Sequence, residues 1–154
     1  MAIPQFEHLN NEEKELLFDV PAIITLLIGS ADDDLNSEEI STGLRIILVR
    51  KDSGDKLLQD YYEATNNVFD SSLNKYSLAY ENLATEERIE KLSVILAQLD
   101  TILPTIDPLY ASTLIKSFRT FAKEIAEASG GFAGIASVSN AEQQLVSLPM
   151  ISFH

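Results

Sequence analysis

Along nearly the whole chain, apolar residues return at intervals of three and four, the spacing that lines one face of a helix. No stretch alternates apolar and polar positions as a half-buried strand would. Asn10 with Glu13 has the pattern of a capping box and predicts a short first helix over about 11–17. Asp19 followed by Pro21 reads as a fresh start, because proline in a first turn gives up no hydrogen bond. The helix it would open, about 20–30, is apolar nearly all round and is expected at the centre of the fold.

Asn36 or Ser37 caps the next helix, with Glu39 three residues beyond Asn36 and with Ile40, Leu44, Ile47 and Leu48 as its inner stripe. KDSGDK at 51–56 breaks the chain, and Leu57, Leu58, Tyr61, Tyr62, Thr65, Val68 and Phe69 line the following face. DSS at 70–72 is expected to interrupt again before Leu73, Tyr76, Tyr80 and Leu83. Thr85 caps a helix that carries Ile89, Leu92, Ile95, Leu96, Leu99 and Leu103 and is ended by Pro104. Asp107-Pro108 opens another, with Leu114, Ile115, Phe118, Phe121, Ala122 and Ile125 inward. Ser139 with Glu142 marks a last capping box, ahead of a short helix and the apolar tail SLPMISFH. The expectation is an all-α fold: one domain over 1–154, a compact bundle of about seven to eight helices. LIGSADDDLNSEEI and IAEASGGFAGIASVSNAEQQLV share a plan of helix end, loop, cap and helix, so a weak helix-loop-helix duplication is a further expectation.

Composition narrows the function classes. At 154 residues and 45% apolar, the chain can bury a core without staples. The absence of cysteine removes disulfides, thiolate metal sites and cysteine nucleophiles, and it fits a reducing, cytoplasmic setting. MAIPQFEHLNNEEKE has neither a basic n-region nor an apolar h-region, so no secretory signal is expected. VPAIITLLIGSA is about a dozen residues long, where a membrane span needs ~20, so no membrane insertion is expected. Eleven Lys+Arg against 24 Asp+Glu give a net charge of −13, a field that repels phosphate backbones and argues against nucleic-acid binding. The same field favours divalent cations or a basic protein partner, and self-association stays open.

Enzyme chemistry has little to work with. The two histidines, His8 and His154, lie near the ends; SGGFAG lacks the Lys-Ser/Thr of a phosphate loop and follows no strand. Glu12/Glu13 and Glu86/Glu87 fall in first helical turns, where the helix dipole favours acids. The chemically suggestive stretch is GSADDDLNSEEI. Asp32, Asp34 and Asn36 alternate, so in a turn their oxygens can converge on one point, and Glu39 one turn into the helix can add another. An EF-hand is excluded: its sixth position would be Ser37 instead of glycine and its twelfth Gly43 instead of glutamate.

ADDDLNSEE, between a hydrophobic and an amphipathic helix, resembles the ADG-hydrophobic-x-x-x-E signature of the TerB-like (tellurite-resistance protein B-like) family. Ala31 and Asp32 match it, Asp33 stands in place of the usual glycine, Leu35 fills the hydrophobic slot, and Glu38 or Glu39 supplies the acid. Aspartate tolerates a left-handed backbone, so the turn survives the exchange. The second signature near the carboxyl end has lost its aspartate, which argues against a two-loop cation site. The resemblance implies a compact helical, non-enzymatic domain of stress response, with a weak divalent-cation (Ca or Mg) site at Asp32, Asp34, Asn36 and Glu39 and with protein partners. The alternative is a metal-independent interaction or scaffold bundle whose aspartates only solvate a turn and complement a helix start.

Overall fold

The computed structural model describes residues 3–30, 37–130 and 144–154. The first helix, α1 (Asn11–Ser30), starts as read: the Asn10 amide donates to Glu13 Oε1 at 3.0 Å and the Glu13 amide to Asn10 Oδ1 at 2.8 Å, a reciprocal box. It does not stop at 17. It runs through Pro21 to Ser30, and every residue from Asp19 to Ser30 is buried. Two predicted helices are therefore one. Pro21 removes the amide that would serve the Leu17 carbonyl, and the hydroxyl of Tyr61, 44 residues away, donates to that carbonyl instead. Thr25 and Ser30 donate back to the carbonyls of Pro21 (2.8 Å) and Leu26 (2.7 Å), which hides their hydroxyls within an apolar helix.

The other helices pack around this rod. They are α2 (Ser37–Ser53), α3 (Gln59–Tyr80), α4 (Thr85–Ala97), the single turn α5 (Leu99–Ile102) and α6 (Pro108–Gly130), with 3-10 turns at Pro4–Phe6 and Leu103–Thr105. Helix α1 touches α2, α3, α4 and α6, and α2 also packs on α3 and α6. Among the described residues there are five long helices and one short one, and no strand. The all-α bundle stands, and among the described residues its helices are fewer and longer than the seven to eight expected.

The missing breaks have local causes. DSS at 70–72 lies inside α3: Ser71 Oγ donates to the Val68 carbonyl at 3.0 Å, and Ser72 Oγ donates to Asp19. Helix α4 begins at Thr85 with Ala84 at the cap position, so Thr85 is its first residue and not its cap. Past Ala97 the chain kinks into α5 and the Pro104 turn, where one helix to 103 was expected. Asp107 does cap α6, taking the Tyr110 amide at 3.1 Å, with Pro108 at the first helical position.

Gly43 lets α2 sit close to its neighbours. A Cβ there would lie 3.0 Å from Phe69 Cζ and 3.1 Å from Thr25 Oγ1. At the other end of the core, Phe6 packs edge-on to Tyr61 and Tyr110 and at 5.8 Å to Phe18, and Tyr61 also meets Tyr62 and Phe118. Tyr61 and Tyr62 are core residues, while Tyr76 and Tyr80 are half-buried at the rim.

Candidate functional site

Of the four residues expected to hold a cation, Asp32, Asp34 and Asn36 lie outside the described residues, as do residues 131–134 of SGGFAG, whose first two residues end α6, and the Ser139–Glu142 box. Glu39 is described. It stands in the first turn of α2 and is 1% exposed, while its neighbour Glu38 is exposed. The amphipathic register of α2 separates these two acids: Glu38 faces water and Glu39 the protein. Among the described residues no three His, Cys, Asp or Glu side chains gather as they would around a metal ion.

Three polar assemblies emerge that the sequence pattern does not reveal. The first is centred on Asp19, 3% exposed, which accepts from Ser72 Oγ, from Lys75 Nζ at 2.7 Å and from Tyr76 Oη at 3.0 Å. Glu15 takes the same ammonium at 2.9 Å. Burial alone would lower the Lys75 pKa, but the hydrogen bonds to Asp19 and Glu15 outweigh it, and the ammonium is held above its ordinary range. Burial, with the Asp19 charge beside it, pushes the Tyr76 phenol up to about 12. Asp19 is thus no helix cap. It ties α1 to α3.

The second assembly is Arg50, near the end of α2. Its Nη1 donates at 2.8 Å to Tyr62 Oη, to the Ser117 carbonyl and to Ser117 Oγ. Its Nη2 donates to Thr120 Oγ1 at 3.0 Å and lies 3.6 Å from the Glu124 carboxylate. The guanidinium also stands over the rings of Tyr62 and Phe121 at 5.3 and 5.7 Å. Burial raises the Tyr62 pKa, and Arg50 pulls it back in part. The fork joins α2, α3 and α6. Beside it a surface groove of about 490 Å³ runs between α2 and α6, with Val49, Arg45, Glu124 and Glu127 among its walls. Val49, one of those walls, is 55% exposed.

The third assembly holds the chain's end. Arg119 on α6 and Asp100 on α5 bind the backbone of residues 147–153, and Leu148 and Ile151 are buried. The apolar tail therefore docks on the body of its own chain. The terminal His154 is exposed, and His8, also exposed, meets Thr105 Oγ1 at 3.0 Å.

Sequence patterning missed these assemblies because each joins residues far apart in the chain, and a lone Asp, Arg or Lys on a helix carries no local mark of its partner. No helix among the described residues is long and apolar enough to cross a membrane. In comparisons with known proteins, no family model, no curated protein and no solved structure matches this chain.

Proposed function

We propose that this chain is a non-catalytic, acidic helical binding module that works in the cytoplasm by engaging a protein partner. What supports a non-catalytic role is how its charged groups are used: Asp19 pairs with Lys75 and Arg50 with Glu124 to join helices, and Asp100 and Arg119 each hold the backbone of residues 147–153. The observation that carries partner binding is the α2–α6 groove. An aliphatic side chain, Val49, is held in water there beside the exposed Glu124 and Glu127, on a chain of net charge −13. A basic amphipathic segment fits that chemistry. Titrating a basic amphipathic helical peptide should shift amide signals of Val49 and Glu127, and Val49→Glu should weaken binding about tenfold. Shifts spread evenly over the surface, unchanged by Val49→Glu, would remove the groove from the proposal.

A second function rests on Glu39. Glu39 lies buried in the first turn of α2, five residues beyond the acidic run of residues 32–34. The resemblance of that run to the TerB-like signature supports a weak Ca or Mg site at Asp32, Asp34, Asn36 and Glu39, and with it a place in stress response. Millimolar calcium or magnesium should then raise the melting temperature, and Asp32→Asn with Asp34→Asn should abolish the rise. An identical melting temperature with and without cation leaves the aspartates as turn and cap residues.

A further inference from the structure

The last eleven residues, 144–154, are held through their main chain. The Asp100 carboxylate accepts the amide of Ser152 at 2.8 and 3.1 Å and that of Phe153 at 2.9 Å. Arg119 donates Nε–H to the Ser147 carbonyl at 2.9 Å and Nη2–H to the carbonyls of Ile151 and Phe153 at 3.1 and 3.3 Å. Every non-proline residue offers these groups, so this recognition ignores sequence. Selectivity comes from two aliphatic anchors three residues apart, Leu148 at 0% and Ile151 at 2% exposure. Leu148 adopts a φ of 51°, a left-handed backbone that costs a leucine energy the anchors must offset. The docked segment is therefore well recognised and also strained.

We propose that Asp100 and Arg119 form a peptide-reading clamp, filled here by the chain's own end and able to take the same segment from a second copy. That occupant is favoured because residues 144–154 demonstrably satisfy both anchors and the backbone contacts, and each copy presents one. Exchange between copies reproduces every contact made within one chain. The segment carries no acidic or basic side chain before His154, so it approaches a second body of net charge −13 without adding to the repulsion. Thirteen residues of sequence, 131–143, lie between α6 and this segment. The chain's own segment competes for the clamp, so exchange appears only at high chain concentration and as salt screens the bodies.

The chain has no cysteine, so His154→Cys takes a single nitroxide label at the exposed terminus. Unlabelled chain of residues 1–154 carrying it is mixed with 15N-labelled chain at millimolar concentration and high salt. Amides around Asp100 and Arg119 of the labelled copies should lose at least about half their intensity, and excess synthetic peptide of residues 144–154 should restore it. Absence of broadening, or broadening that the peptide leaves unchanged, overturns the proposal. Equal competition by an unrelated uncharged peptide overturns the second copy as the occupant. In Asp100→Ala, the amides of Ser152 and Phe153 should move to disordered positions while those of α1 and α3 stay in place. Melting of α1 and α3 together with the segment would show it to be part of the core and overturn the clamp.

Discussion

In a regular helix the Leu17 carbonyl would accept the amide of residue 21, and proline has no amide hydrogen to give. Tyr61 supplies the missing donor from α3, with its ring closed in by Phe6, Phe18, Tyr62 and Phe118. Tyr61→Phe should therefore cost about 1–3 kcal/mol, the penalty for an orphaned buried carbonyl. Combined with Pro21→Ala, which restores the helix amide, the same change should cost about 1 kcal/mol less. Urea denaturation of the four proteins measures the coupling, and equal costs in both backgrounds would refute it. At this scale the sequence reveals half of the pair. Proline is conspicuous as a helix start, but its rescuer is one tyrosine among several on another helix, and nothing local singles it out.

At the scale of elements, what a segment does by itself was legible. Asn10 and Glu13 close their box, and Asp107 with Pro108 starts α6, because both devices are complete within four residues. Where a helix ends depended on its neighbours. Polar DSS reads as a break until Asp19 of α1 accepts from Ser72 and lets α3 continue to Tyr80. The acid pair at the start of α2 was legible as a pair, whereas the burial of Glu39 and not Glu38 follows from how α2 lies on the core. That seating depends on Gly43. Gly43→Ala gains about 1 kcal/mol of helix propensity. Its methyl, though, meets Phe69, 1% exposed, and Thr25, which is fully buried and bonded to the Pro21 carbonyl, and neither can withdraw. Overpacking of about 1–3 kcal/mol should win, leaving a net loss of about 1 kcal/mol by thermal or urea unfolding. A stabilised Gly43→Ala protein would mean that α2 is not seated this closely.

Taken whole, the molecule is built to resist alkali only so far. Tyr61, Tyr62 and Tyr110 are raised above the ordinary 10.0 mainly by burial, Tyr76 is raised to about 12, and Lys75 is raised by its carboxylates. Each keeps its proton to higher pH folded than unfolded, so above about pH 10 the unfolded chain binds fewer protons and stability falls with rising pH. The contribution is intact below pH 10 and drains away toward pH 12 and beyond. Urea midpoints at about pH 8, 10 and 11 should fall in that order, and tyrosinate absorbance from the buried rings should rise with unfolding and not before it. Early titration of those rings in a folded chain would refute their burial. The placement of α1 has a different consequence, one that concerns synthesis. This greasiest segment leaves the ribosome ahead of the helices that cover it, and α6, one of those walls, is translated about 100 residues later. At ~5–20 residues per second, α1 waits roughly 5–20 s before its last wall exists. A newborn chain of this kind should lean on a holding chaperone until α6 arrives, and codons that slow translation between α3 and α6 should lower its yield.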